Sequence, residues 1–136
     1  MAGYSKTPLA AKLGIKPGSV VCAVNPPAGY LDLLAPLPEN ARVVHKLKGE
    51  ADIIHFFSAD RDELERSLPQ YLKQIRQNGM IWISWPKKTS GMPSTITEHV
   101  VREIALPLGL VDVKVCAVDE VWSGLKLVIR LENRTS

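Results

Sequence analysis

An apolar run through Ile83 gives way at Ser84 to Trp85, Pro86, Lys87, Lys88, Thr89, Ser90 and Gly91. Two ammonium groups beside two hydroxyls and a glycine amide suit an anion such as phosphate or carboxylate. The competing reading is plainer, because lysines in a loop are as a rule simply solvated. Trp85 and Trp122 also fall where apolar runs end, where they either complete a core or wall a planar ligand. Other polar or turn residues close apolar runs in the same way: Asn25, Pro27, Gly29 and Tyr30 after the first, and Ser58 after the third. With Ser84 and Lys126 they complete the candidate ligand-binding set.

These residues bind better than they catalyse. Neither Ser58 nor Ser84 sits in the Gly-x-Ser-x-Gly of a nucleophile elbow. The lysines precede their glycine, unlike the Gly-x-x-x-x-Gly-Lys of a phosphate loop. His45, His55 and His99 are too dispersed for a helical zinc pair, and no cysteine stands at ligand spacing. His55 lies inside an apolar run and reads as a hydrogen-bonded core histidine. Asp119 and Glu120 read as surface residues of a turn. No metal is expected, and the catalytic residues are unknown.

A length of 136 residues suits one domain spanning 1–136, and a net charge of +3 is too mild for a dedicated nucleic-acid binder. Residues 1–8 carry no apolar run long enough for a signal peptide. No stretch approaches the roughly 20 apolar residues that span a bilayer, so no membrane partner is expected. Cys22 and Cys116 lie in apolar runs without a close partner, so they read as buried free thiols of a cytoplasmic protein.

The elements that must position these groups follow from periodicity. Thr7 and Pro8 read as the cap and first turn of a helix that Gly14 stops. Strands are expected over 19–24, 42–45 and 53–57, with helical turns over 30–34 and a polar loop over 46–50. Asp60 caps a helix over 61–77, whose Leu64, Leu68, Leu72 and Ile75 form an apolar stripe. Pro69 should kink or divide it, and Asn78 and Gly79 should stop it before a strand over 80–84. Thr95 and Glu98 have the spacing of a capping box for a helix carrying Val100, Val101, Ile104 and Leu108. Strands over 111–118 and 125–131 close the chain as a hairpin. Asp112 and Lys114 should share the solvent face of the first, and the more apolar second lies inside the sheet.

Strand and helix alternate, so the fold class is α/β: a doubly wound, mostly parallel Rossmann-like sheet of about six strands with a C-terminal antiparallel hairpin. The chain resembles a class I methyltransferase in Leu13-Gly-Ile-Lys-Pro-Gly18 before the first strand, Gln77-Asn-Gly-Met-Ile-Trp-Ile83, and Gly109-Leu-Val-Asp-Val ahead of the hairpin. Through Ser84-Trp-Pro-Lys-Lys-Thr-Ser-Gly91 and Val118-Asp-Glu-Val-Trp-Ser-Gly-Leu-Lys126 it more closely resembles a family of small bacterial proteins whose domain has no assigned function. The first resemblance implies a methyltransferase-like fold pared down by one strand and its helix. It also implies a glycine-rich turn after the first strand and an acid after the second, to hold S-adenosylmethionine. Here Asn25-Pro-Pro-Ala-Gly29 and His45 stand in those places. No cofactor is therefore expected, and S-adenosylmethionine, which the fold would allow, is disfavoured by the missing glycine-rich turn.

The reading that follows is a small-molecule-binding or interaction module without standard methyltransferase activity. Its rivals are a divergent enzyme acting on an anionic small molecule at the carboxyl edge of the sheet, and a subunit of a larger assembly. An anionic small molecule is the expected ligand. A protein partner or a second copy of the chain is the remaining choice.

Overall fold

The first described helix, α1 (Leu9–Leu13), ends at Gly14, which takes the left-handed conformation at φ 86°. A side chain there would also press on the end of Met80, which is flexible and can move, so the positive φ is what calls for glycine. Its expected cap is displaced by one residue: Pro8 is the N-cap, and no side chain caps the helix. The computed structural model describes residues 7–135. The expectation that residues 1–8 form no signal peptide falls mostly on residues outside that range.

The remaining elements are β1 (Val20–Val24), α2 (Tyr30–Leu34), β2 (Arg42–Val44), β3 (Ala51–Phe57), α3 (Arg61–Gln74), β4 (Ile75–Pro86), α4 (Glu98–Ala105), β5 (Leu110–Ala117) and β6 (Trp122–Ile129). Six strands form one sheet in the order β2-β1-β3-β4-β6-β5. The first four run parallel, and β6 lies antiparallel to both β4 and β5. This is the doubly wound α/β sheet with a C-terminal hairpin that the pattern predicts. The more apolar hairpin strand is the inner one.

Alternation along β3 divides the core in two. Ile54 and Phe56 face α3 and α4 with Leu64, Leu68, Val101 and Ile104. Ile53 and Phe57 face α1 and α2 with Leu13, Tyr30, Leu34 and Trp82. Trp82 is fully buried, and its indole N–H donates to the Leu13 carbonyl at 3.0 Å, fixing the end of α1 onto the sheet. Each fully buried side chain of this size contributes roughly 1.5–3 kcal/mol.

Four local expectations are corrected. Helix α3 is not divided: it is one element with Pro69 inside it, and its Leu64 and Leu68 are fully buried against the sheet. It also stops at Gln74, since Ile75 already pairs with Ala51 in the sheet. Strand β4 accordingly starts before Asn78 and Gly79, and the register jumps from Ala51–Ile75 to Ile53–Met80 across them. Gly79 marks the close approach, since a side chain there would lie 2.7 Å from the Asp52 carbonyl oxygen.

The other two concern caps and alternation. Thr97, not Thr95, caps α4 by accepting from the Val100 N–H at 3.2 Å. Thr95 instead accepts from the Arg61 N–H at 2.7 Å, which ties this loop to the start of α3. A bulge at Val113 separates Asp112 from Lys114, so the two do not share a face. Asp112 pairs with Arg102 of α4 at 2.8 Å, while Lys114 lies across from Lys126.

Candidate functional site

Strands β1 to β4 are parallel, so the turn 25–29, His45, Ser58 and the loop after Pro86 all meet at one carboxyl edge. Ligands of open α/β sheets bind at such an edge. Asn25 is exposed with φ 56°, and its side-chain amide donates to the Phe57 carbonyl at 3.4 Å, linking the ends of β1 and β3. Pro27 is half-buried, and exposed Gly29 is the left-handed N-cap of α2. Ser58 is buried, and its hydroxyl donates to Glu63 while accepting from the Asp60 N–H.

Beyond β4 the rim is tied to the hairpin. The Lys87 backbone N–H donates to the Val121 carbonyl at 2.7 Å, and its ammonium donates to the Asp119 carbonyl at the same distance. Lys88, Thr89 and Ser90 form a short 3-10 turn. The Ser90 hydroxyl is taken up by the Lys87 carbonyl and the Met92 N–H. Lys88 and Thr89 are exposed. Trp122 pairs with Pro86 and meets Phe57 edge-on at 5.2 Å.

Four candidates point elsewhere. Trp85 packs into the core beneath α3 and α4, on the opposite side of the sheet from Trp122. Lys126 pairs with Trp82, several residues back from the rim. Its ammonium is held below the usual lysine range by burial and by neighbouring Lys114 and Lys16. Tyr30 and Ser84 turn inward, and between them they hold His55.

That buried trio is the most polar feature of the interior. The Tyr30 hydroxyl lies 2.7 Å from His55 Nδ1, and the Ser84 hydroxyl lies 2.7 Å from His55 Nε2. The imidazole stacks on Phe57 at 4.1 Å, and Tyr30 meets both rings edge-on. Burial pulls the His55 pKa down to about 3 and pushes the Tyr30 phenol up. The imidazole is therefore neutral at pH 7, and either tautomer satisfies both nitrogens.

A serine, a histidine and a third polar group in a row look like a nucleophile with its base and orienting partner. Accessibility decides against that chemistry. Ser84 is 0% exposed, and Gly124 of the neighbouring strand covers its hydroxyl so closely that an added Cβ would lie 3.2 Å from it. No reacting carbon reaches such an oxygen, and a base held near pH 3 takes protons poorly at neutrality. The trio is a structural tie joining α2, β3 and β4. Sequence reasoning placed His55 in the core but missed its partners, which lie 25 and 29 residues away. The two hydroxyls ending their runs were the only trace.

Cys22 and Cys116 are free and pack on opposite faces of the sheet. Among the described residues no three His, Cys, Asp or Glu side chains gather as a metal site. No described helix is long and apolar enough to cross a membrane.

Residues 43–131 match the sequence model of a family described as "Protein of unknown function (DUF3052)". No curated protein sequence matches the chain. Solved structures do. A protein from Sulfolobus solfataricus assigned to the type 11 methyltransferases superposes with a TM-score of 0.66 at 13% identity, over 94% of this chain and 93% of its own. A SAM-dependent methyltransferase from Aquifex aeolicus gives 0.62 at 17% identity, over 89% and 88%. Magnesium protoporphyrin IX methyltransferase from Synechocystis PCC 6803, with bound SAH, gives 0.60 at 15%, over 89% and 78%. At such identities the likeness is one of fold: the sheet is Rossmann-like and methyltransferase-like.

Proposed function

The chain belongs to the DUF3052 family of proteins of unknown function, and we propose that it is a cytoplasmic binding module on a methyltransferase-type scaffold, without standard methyl-transfer activity. One observation carries the absence of standard activity: polar groups at the carboxyl edge are already engaged by their neighbours. Asn25 holds Phe57, Ser58 holds Glu63, and Lys87 holds Asp119. A ligand would have to break these bonds to form its own, and an exchange of that kind gains little.

The residues present do not fit S-adenosylmethionine as the resembled fold binds it. Pro26 and Pro27 stiffen the turn after β1, and its one glycine serves as the cap of α2. After β2 stands His45, whose Nδ1 lies 3.3 Å from the Ala23 carbonyl oxygen. A carboxylate in that place accepts from two ribose hydroxyls at once, which one imidazole nitrogen does not. Isothermal titration with S-adenosylmethionine is expected to show no binding in the micromolar range. Micromolar affinity accompanied by methyl transfer to any acceptor would overturn the proposal.

Exposed Lys88 and Thr89 favour a second reading, in which an anionic small molecule meets the rim as a substrate. It predicts that charge reversal at Lys87 and Lys88 abolishes a ligand-induced rise in Tm while the variant stays folded. A broad panel of phosphates and carboxylates that never shifts the parent Tm counts against it.

A further inference from the structure

A cavity of about 450 Å³ lies against β1 and β2, under the loop 45–50. Its origin lies in the topology. Strand β2 returns to β3 past β1, and parallel strands joined in this way usually carry a crossover of a dozen or more residues with a helix. Here the whole connection is six residues, 45–50, and contains no helix. Leu47 from this loop packs against the core on the α3 side, and it does so alone. The space a crossover helix would fill is left as a hollow with an apolar floor of Val20 and Val44.

Its walls are cationic. Arg42, Lys46, Lys48 and Arg76 all line it, against one acidic residue, Glu50. Arg76 is set in place by Asp52, whose Oδ1 lies 3.1 Å from the arginine Nε in an ion pair. The other oxygen of Asp52 accepts from the Val20 N–H at 2.8 Å, so the arginine is anchored to the backbone of β1. No described carboxylate pairs with Arg42, Lys46 or Lys48. Like charges gathered in a concave, partly apolar wall repel one another and focus a positive potential that an anion relieves.

We propose that this hollow binds a phosphorylated small molecule, with Arg42 and Arg76 gripping the phosphate and Lys46 and Lys48 closing over it from the loop. Guanidinium groups present parallel donors that match two phosphate oxygens, and the lysines add charge without directional demand. The volume lies within the roughly 300–1,000 Å³ of small-molecule sites. Its concave shape favours a compact ligand over a nucleic-acid backbone, which would need a stripe of cations along a face. The site is separate from the carboxyl rim and stands whether or not the rim binds anything.

The test is titration of the full chain with inorganic pyrophosphate at constant ionic strength, followed by isothermal calorimetry and Tm. Pyrophosphate is expected to bind with a millimolar or tighter Kd and to raise Tm. The exposed double variant Arg42→Gln/Lys48→Gln should keep its fold and weaken binding about tenfold or more. Lys87→Gln/Lys88→Gln should bind as the parent does, which separates this site from the rim. Absence of pyrophosphate binding overturns the proposal, as does equal binding by the first double variant. Loss of binding only in the second variant would move the anion to the rim. Tight binding of a single-stranded oligonucleotide, lost in the first variant while pyrophosphate fails to bind, would replace the small molecule with a nucleic acid.

Discussion

At the scale of single residues, His55 carries the most distinct consequence. Burial lowers its pKa to about 3, whereas the unfolded imidazole titrates near 6.5. Between those values the unfolded chain holds more protons, so stability falls as the pH is lowered through that window. The linked loss is on the order of 4 kcal/mol from pH 7 to pH 3, and urea melts across that range should reveal it. His55→Leu should remove this contribution to the acid slope. It should also cost roughly 2–4 kcal/mol at pH 7 by leaving the Tyr30 and Ser84 hydroxyls unpaired. If the leucine variant keeps the full acid slope, His55 is not its source. At the alkaline end the buried Tyr30 phenol is pushed up, so stability should also fall above pH 10, where the unfolded chain ionises first.

At the scale of elements, the places where periodicity misleads are those where two segments touch. Gly79 resembles a helix stop in sequence, but its lack of a side chain serves β4, where the Asp52 carbonyl passes close by. Gly79→Ala should therefore destabilise by about 1–3 kcal/mol, because backbone must move to admit the methyl group. Chemical denaturation at neutral pH measures this. Thr97 and Thr95 offer a matched comparison at the start of α4. Thr97→Ala removes the helix cap and should cost about 1 kcal/mol. Thr97→Ser should restore most of it, since the accepting hydroxyl is what matters.

At the scale of the whole molecule, the sheet ends in two different edges. Strand β2 has only three residues, too short to offer much to another chain. Strand β5 has eight, with Val113 and Val115 exposed at 52% and 46%. Lys114 sits between these valines, and the bulge at Val113 bends the strand. Both features work against pairing of this edge with a second copy. Lys114→Val relieves the repulsion with Lys126 yet leaves the edge apolar, so it should promote concentration-dependent association, read as a rising mass in light scattering. A variant that stays at the parent's mass at every concentration would show that the bulge protects this edge without the lysine.

Much of the molecule was determined by sequence alone, because it rests on signals carried by neighbours in the chain. Apolar runs ending in proline, glycine and capping residues placed all six strands. Asp60 begins α3 as its side chain dictates, and the helix over Tyr30–Leu34 falls where the prolines leave room for it. The carboxyl edge was equally legible, since its residues are those that end the parallel strands. Only tertiary structure decided which way those residues face. Ser84, Trp85 and Tyr30 look alike as strand-end or turn candidates, yet two point into a tie around His55 and the third packs beneath α3 and α4. The choice depends on contacts tens of residues apart, which no local period encodes. The cationic hollow was hidden for the same reason. Arg42 belongs to an expected strand, Lys46 and Lys48 to a polar loop and Arg76 to an expected helix, and they become one wall only because the chain crosses from β2 to β3 without a helix.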